Sequence, residues 1–223
     1  MPAGAVGAAS AAIRVATIDE IHKILQRLGQ EFPAGAEDKF AALLGELARW
    51  NRRINLTAIN EPKRMVAAHL ADSLAARPLL RGVRILDVGT GAGFPGLPLA
   101  IAEPDRAFVL LDSNARKIAF VQHAARLLGL DNVEAVQARA ENFAPGSPFD
   151  TVIARAVAAL PRLLDIAGRL VGEDGVLLAL KGRYPAGELD GVGPAWRYDV
   201  TELAVPGYGA GSRHAVLLEH RTI

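Results

Sequence analysis

Apolar side chains recur at helical spacing through the first third of the chain, between Thr17 and Leu80. The two clearest sets have successive members one, three or four positions apart and comprise Ile18, Ile21, Leu25, Leu28, Phe40, Leu43, Leu44 and Leu47. Residues at this spacing share one face of a helix, so the pattern predicts amphipathic helices. We therefore expect residues 17–80 to form a helical N-terminal module. An Ala- and Gly-rich flexible tail, residues 1–16, precedes it.

From Val83 onward the pattern changes to short apolar runs at 83–88, 108–111, 133–136, 151–154, 176–180 and 214–219. Helix-length stretches, notably 115–128 and 160–170, lie between them. Continuous apolar runs are typical of strands buried on both faces, and parallel strands require crossover helices. Residues 81–223 are therefore predicted to form a Rossmann-like α/β domain with a doubly wound, mostly parallel sheet. Beyond Tyr184 the pattern weakens until the last run.

Composition narrows the function classes. The chain has no Cys, which excludes disulfides, thiolate metal sites and cysteine nucleophiles and fits a reducing cytoplasm. We expect no metal site. No apolar run approaches the roughly twenty residues of a membrane-spanning helix, so no membrane partner is expected. The formal net charge of +1 neither requires nor excludes a nucleic-acid partner, because the clustering of basic groups decides that question.

A glycine-rich turn follows the first apolar run and leads into a helix. Gly89, Gly91 and Gly93 favour positive φ angles and let a ligand approach the backbone at the carboxyl end of a strand. Residues 91–96 satisfy the dinucleotide fingerprint G-x-G-x-x-G, and Asp112 lies about twenty residues on, where a ribose-binding acid is expected. The turn predicts a cofactor site without identifying the cofactor.

Asp87, just before the first glycine, argues against a dinucleotide, because its carboxylate would repel a pyrophosphate and attract a ligand that carries an ammonium and a sulfonium. S-adenosylmethionine has both groups. Asp87 alternatively caps the turn by accepting backbone hydrogen bonds. Asp112 is predicted to bind the ribose, or else to cap the next helix. Glu141, with the Ala140 backbone, is predicted to lie beside the adenine, although a solvated surface Glu also fits.

Several motifs occur in a fixed order: Trp50-Asn51, Asn55-Leu56-Thr57, His69 through Asp72-Ser73-Leu74, the glycine turn with Pro95-Gly96, Arg155-Ala156, Leu180-Lys181-Gly182 and Arg213-His214. Together they resemble the bacterial family of small-subunit ribosomal RNA guanine-N7 methyltransferases, also called glucose-inhibited division protein B. The similarity runs from Asp38 to Lys181 and returns at Arg213, so it spans most of the chain.

This resemblance implies S-adenosylmethionine as methyl donor and N7 of one guanine in small-subunit (16S) ribosomal RNA as acceptor, on naked RNA or on the assembling 30S particle. It also implies that Gly89, Phe94, Ala140, Glu141 and Arg155 line the donor site. Many members have Ser where this chain has Ala154, which bears on hydrogen bonding around Arg155. We expect a monomer.

No catalytic residue is assigned, because guanine N7 is an unprotonated nucleophile at neutral pH and needs no general base. Arg155, Lys181 and Asn55 are the candidates. Arg155 is expected to bind the donor carboxylate or an RNA phosphate, or to form a buried ion pair, and Lys181 has the same alternatives. Asn55, His69, Asp72 and Ser73 form a polar set suited to base recognition or to a cofactor lid. His69 also fits a structural role between elements.

Basic residues cluster in the N-terminal module and predict a phosphate-binding patch, although a solvated face also fits: Arg49, Arg52, Arg53, Lys63 and Arg64. His69 and Lys181 are added as predicted RNA contacts. Trp50 beside the patch fits the apolar stripe of its helix better than a stacking role. Three other functions stay open from the residues alone: a methyltransferase for small molecules or proteins, a non-catalytic nucleotide-binding module and a dinucleotide oxidoreductase.

Overall fold

The computed structural model describes residues 18–208 and 213–221. The predicted tail, residues 1–16, lies outside the described residues. The N-terminal helices are α1 (18–28), α2 (Ala36–Asn51), α3 (Pro62–Met65) and α4 (Asp72–Leu74), and a π-helix, Val66–Ala71, joins α3 to α4. A short 3-10 helix, Arg77–Leu79, leads to the sheet.

The described residues form one sheet of seven strands: β1 (Arg84–Val88), β2 (Ala107–Asp112), β3 (Val133–Gln137), β4 (Phe149–Arg155), β5 (Val171–Lys181), β6 (Trp196–Leu203) and β7 (Arg213–His220). The other helices are α5 (Gly96–Ala102), α6 (Ala115–Leu128), α7 (Leu160–Ala167) and α8 (Ala186–Leu189), with 3-10 turns at Ala140–Asn142 and Gly168–Leu170. Strands β1 to β5 are parallel, and β7 is antiparallel to both β5 and β6. The predicted mostly parallel, Rossmann-like sheet is confirmed.

The strand order is β3-β2-β1-β4-β5-β7-β6, so the chain reverses direction across the sheet between β1 and β4. In open parallel sheets, ligands bind at the carboxyl ends of the strands where the order reverses. This switch point places the glycine turn after β1 beside the end of β4. The fold therefore puts the predicted cofactor turn where a ligand crevice is expected.

Two apolar clusters cover the two faces of the sheet. One joins α5 and α6 to the N-terminal helices; Leu43 and Leu47 of α2, for example, belong to the same cluster as Phe120 of α6. Trp50 packs on Phe120 with ring centroids 5.5 Å apart, in the core position that the sequence favoured. The helices of residues 18–80 thus share a core with the sheet, and the division into module and domain at residue 80 stays a prediction.

Local signals explain most element bounds. Asn114 caps α6 because its Oδ1 accepts from the N–H groups of Arg116 and Lys117, and Gly129 ends the helix in the left-handed conformation. The bounds of α6 match the predicted 115–128. Strand β6 was missed, because it is an edge strand with only one buried side chain and lacks an apolar run. Within residues 18–208 and 213–221, no helix has both the length and the apolar character required to cross a membrane.

Candidate functional site

The glycine turn after β1 presents open backbone at the switch point. Gly89, Gly91 and Gly93 have φ angles of 66°, 62° and 82°. The turn is fixed to β2 because the Thr90 N–H donates to the Leu111 carbonyl at 2.9 Å. A Cβ atom built on Gly91 would meet only the Gly89 carbonyl, 3.9 Å away. Space for a ligand therefore lies against this glycine.

Asp87 is buried under the turn. Its Oδ2 accepts from Thr90 Oγ1 at 2.6 Å and from the Gly96 N–H at 2.8 Å, so the predicted capping role is present. Its Oδ1 is buried and has no hydrogen-bond partner among the described residues. Burial raises the pKa of Asp87 to about 7, although these two hydrogen bonds and the charge of Arg155 oppose that rise. One carboxylate oxygen thus supports the turn, and the other has no hydrogen-bond partner among the described residues.

Asp112 ends β2 and faces the same turn. Its Oδ2 accepts from the Gly91 N–H at 3.0 Å, and its Oδ1 accepts from the Asn114 N–H at 2.8 Å. Lys117 Nζ lies 3.7 Å from Oδ2. Because Asn114 caps α6, Asp112 does not have the capping role weighed for it; it links the glycine turn to the start of that helix.

Ala140 and Glu141 lie in the 3-10 turn after β3. A single guanidinium nitrogen, Nη2 of Arg169, donates to the carbonyls of Ala140, Glu141 and Phe143 at 2.8, 3.0 and 2.7 Å. The Glu141 carboxylate is more exposed and lies 3.3 Å from an Arg162 nitrogen. Sequence reasoning missed Arg169, because a lone basic residue at a helix end carries no signal of such a contact.

A cavity of about 370 Å³ opens at the carboxyl ends of β4 and β5 and the start of β7, and we call it the acceptor cavity. Its polar lining comprises His69, Asp72, Arg155, Lys181, Tyr208, Arg213 and His214. The structure thus brings together four of the predicted polar residues, His69, Asp72, Arg155 and Lys181, from segments far apart in the chain. Ser73 is fully buried and donates to the His69 carbonyl at 2.5 Å.

Asp72 holds two arginines at this cavity. Its Oδ2 accepts from Nη1 of Arg155 at 2.9 Å, and its Oδ1 lies 3.1 Å from Nε of Arg213. Arg155 also donates to the Ala68 carbonyl at 3.1 Å, so the ion-pair role weighed for it is present. Ala156, which follows, has a φ of 56°, an uncommon conformation for a residue with a side chain. No role was predicted for Arg213; its position in the family motif was the available signal.

His69 contributes a neutral ring to the cavity. Its Nε2 lies 3.0 Å from Thr57 Oγ1, and its ring packs on Phe94 at a centroid distance of 4.8 Å. Burial, followed by the charge of Arg155, lowers the pKa of His69 to about 4. Its Nδ1 is buried with no partner among the described residues. At neutral pH the site therefore has an uncharged hydrogen-bonding atom with unused capacity.

The two remaining catalytic candidates differ in position, because Lys181 lines the acceptor cavity and Asn55 does not. Lys181 donates to the Ala158 carbonyl at 3.0 Å and to the Glu188 carboxylate at 2.6 Å, so its charge is already paired. Asn55 lines a different cavity, together with Arg52 and Lys117. In residues 18–208 and 213–221, no group of three or more His, Asp or Glu side chains is arranged to hold a metal ion.

The basic patch predicted in the N-terminal module divides in the structure. Arg49 forms an ion pair with Glu46, and Arg52 lines the cavity that contains Asn55. Lys63 and Arg64 instead line a third cavity, next to α1. Lys63 and Arg64 therefore line a cavity that Arg49 and Arg52 do not line.

Comparison with known proteins identifies the family. The model of the GidB family, described as rRNA small subunit methyltransferase G, matches residues 36–216. A protein of Legionella pneumophila (strain Corby) named ribosomal RNA small subunit methyltransferase G is 48% identical over 174 residues, covering 78% of this chain and 82% of that protein. The chain belongs to this family. The predicted resemblance is confirmed.

Other relatives extend the match. A protein of the same name from Nitrosococcus oceani is 44% identical over 202 residues, covering 90% of this chain and 94% of that protein. Among solved structures, an Aquifex aeolicus SAM-dependent methyltransferase has a TM-score of 0.52 at 18% identity, covering 71% of this chain and 93% of that chain. M. jannaschii TYW2 in complex with AdoMet has a TM-score of 0.51 at 17% identity, covering 67% of this chain and 77% of that chain. These two likenesses concern the fold.

Proposed function

We propose that this chain transfers a methyl group from S-adenosylmethionine to N7 of a guanine in small-subunit ribosomal RNA. The observation that carries the proposal is the pairing of two sites at the switch point: the glycine turn above the unpartnered Asp87 Oδ1, and the acceptor cavity. His69, which lines the cavity, packs its ring on Phe94 of the glycine turn at a centroid distance of 4.8 Å, so the two sites adjoin. Membership of the rRNA small subunit methyltransferase G family supports the same reaction.

The groups around the glycine turn fit S-adenosylmethionine, which supplies an electrophilic methyl group when bound. A buried carboxylate oxygen without a partner is costly, and a donor ammonium would satisfy Asp87 Oδ1. Asp112 uses its two oxygens for one backbone N–H each, and a carboxylate has about four acceptor positions, so capacity for the ribose hydroxyls is left. The turn of Ala140 and Glu141, fixed by Arg169, is assigned to the adenine side.

The acceptor cavity fits a guanine whose N7 lone pair is the nucleophile. No residue has to remove a proton, and His69 is neutral because burial and Arg155 lower its pKa to about 4. We assign its unpartnered Nδ1 to hydrogen bonding with the base. Catalysis then depends on holding N7 in line with the methyl group, and such positioning contributes roughly 7–11 kcal/mol in well-oriented reactions. Lys181 positions the segment after β4 through the Ala158 carbonyl.

The acceptor is proposed to be the unmethylated RNA, naked or in the assembling 30S particle, and the enzyme is proposed to act as a monomer in the cytoplasm. The test is transfer of a labelled methyl group from S-adenosylmethionine to both RNA forms, followed by mapping of N7-methylguanine. Label at a single guanine is the expected result. Donor binding without transfer to either form would overturn the ribosomal assignment.

Two variants locate the sites within that assay. Asp112→Asn is expected to raise the dissociation constant of the donor, because a neutral amide replaces the carboxylate on the ribose side. His69→Ala is expected to leave donor affinity within about twofold of wild type and to lower turnover on RNA, because it changes the acceptor side. Equal effects of both variants on donor affinity would contradict the assignment of two adjoining sites.

A further inference from the structure

A third cavity, of about 660 Å³, lies between α1, the helical segment that starts at Pro62, and the turn at residues 205–208. Four basic side chains line it, and we call it the basic groove: Lys23 and Arg27 from α1, and Lys63 and Arg64 from α3. All four side chains are exposed. The predicted patch included only the second pair, because the two pairs are about forty positions apart in the sequence.

The charge of the groove is poorly compensated. Its one acidic lining residue, Glu20, lies 3.9 Å from Lys23. Arg27, Lys63 and Arg64 have no ion-pair partner among the described residues, and the stretches outside the described ranges contain no Asp or Glu. Several uncompensated cations along one groove form the electrostatic footprint of a phosphate backbone.

The basic groove is continuous with the acceptor cavity. Ile59, Ala68 and Tyr208 line both. Tyr208 is 37% exposed, and the Arg213 guanidinium lies over its ring at 4.0 Å from the centroid. An exposed aromatic ring between a phosphate-binding groove and a base-sized cavity is suited to stack a nucleotide base. By contrast, the cavity that contains Arg52 shares no lining residue with either.

We infer that RNA binds along the basic groove and reaches the acceptor cavity past Tyr208. This inference rests on the proposed function and adds the path of the RNA to it: Lys23, Arg27, Lys63 and Arg64 contact phosphates, and Tyr208 stacks on a base next to the target guanine. Helix α1 thereby becomes part of the RNA-binding surface.

The test measures the affinity of the protein for unmethylated small-subunit RNA over a series of salt concentrations, independently of methyl transfer. The variants are Lys23→Gln with Arg27→Gln, and Lys63→Gln with Arg64→Gln. The matched control, Arg126→Gln with Arg221→Gln, removes two exposed charges near the amino ends of the parallel strands, at the end of α6 and after β7. Each groove variant is expected to bind roughly tenfold more weakly at low salt and to lower the slope of log K against log salt by about 1.4, because each single-strand phosphate contact contributes about 0.7. The control should match wild type.

Tyr208 is tested separately. Tyr208→Leu is expected to weaken RNA binding about fivefold or more without changing the salt slope, whereas Tyr208→Phe keeps the ring and should bind within about twofold of wild type.

Donor affinity should stay at the wild-type value in the groove variants. Unchanged salt slopes in both groove variants, beside normal methyl transfer, would overturn this inference and leave the proposed function intact. Reduced slopes without any methyl transfer would support the groove and overturn the proposed function, and a wild type that does not bind the RNA would overturn both.

Discussion

The substitution Asp87→Asn separates the structural role of this side chain from its role toward a ligand. In the folded protein, the carboxylate is buried and its pKa is raised from 3.8 to about 7, chiefly by desolvation. Folding therefore disfavours the charged form, by about 4 kcal/mol at a pH well above 7, since one pKa unit corresponds to about 1.36 kcal/mol. An Asn side chain has almost the same shape and carries no charge.

The amide oxygen of Asn can take the place of Oδ2 and accept from Gly96 and Thr90, which leaves the amide nitrogen at the position of the unpartnered Oδ1. A buried amide group without a partner costs about 1–3 kcal/mol. The net expectation at pH 8 is that the ligand-free variant is about 1–3 kcal/mol more stable than wild type, a rise in Tm of roughly 2–12 °C for a chain of this size.

The pH dependence gives the sharper test. The wild-type carboxyl takes up its proton at about pH 7 when folded and near pH 3.8 when unfolded, so the folded state binds more protons between these values. Its contribution to stability is therefore lost as the pH rises from about 4 to 7. The stability of the variant minus that of wild type should increase by about 4 kcal/mol between pH 4 and pH 8.

Urea denaturation of both proteins without donor, at intervals from pH 4 to 8, measures this difference. Equilibrium binding of S-adenosylmethionine at pH 8 measures the other role, where loss of a hydrogen bond to a charged group predicts roughly 10- to 100-fold weaker binding. A stability difference that stays constant over this pH range would refute the argument from burial. A variant that binds the donor as tightly as wild type would refute the assignment of Oδ1 to the donor ammonium.

Three further predictions concern neighbouring residues. Burial lowers the pKa of His69 to about 4, so the wild-type protein loses stability as the pH falls from about 6.5 to 4. In urea denaturation, the free energy of unfolding of His69→Gln should therefore rise by about 3 kcal/mol relative to wild type over this range. Gly96→Ala should lower the free energy of unfolding by about 1–3 kcal/mol, measured as a lower Tm, because its Cβ would lie 2.7 Å from Leu110 of β2. Its control, Gly45→Ala, lies at an open position in a helix and should raise the free energy of unfolding by about 0.5–1 kcal/mol. Asp72→Ala should lower the free energy of unfolding in urea by about 3–5 kcal/mol, because two partly buried guanidiniums lose their carboxylate. Its control, Glu141→Ala, removes an exposed ion pair and should lower that free energy by about 1 kcal/mol or less.

The sequence predicted the elements whose signal is local. The buried parallel strands have continuous apolar runs, and α6 occupies a helix-length stretch between two of them, so their positions followed from the residues. Strand β6 lacked such a signal, because its pairing with β7 is non-local and only one of its side chains is buried. The register of an exposed edge strand depends on its neighbour, and its own residues do not fix it.

The same distinction between local and non-local signals applies to the candidate site. Asp87 and the glycines were predictable because one contiguous segment builds the turn. The carboxylate of Asp72 between two arginines was not, because Arg155 and Arg213 come from two strands and Asp72 from an N-terminal helix. The surroundings of the basic residues have the same origin. Arg49 pairs with Glu46 of its own helix, whereas Lys63 lines the basic groove together with Lys23, forty positions earlier in the chain.

Arg155 links these parts into one electrostatic unit. Burial is the largest cause of both pKa shifts, upward for Asp87, under the glycine turn, and downward for His69, in the acceptor cavity. The charge of Arg155 acts to lower both pKa values and so favours an anionic Asp87 and a neutral His69. A donor ammonium favours the charged Asp87, and an unprotonated histidine leaves Nδ1 available to an uncharged base. Both preferences depend on the position of Arg155, which Asp72 holds from the N-terminal helices. Docking of those helices on the sheet therefore contributes to the ionisation preferences of both side chains through Arg155.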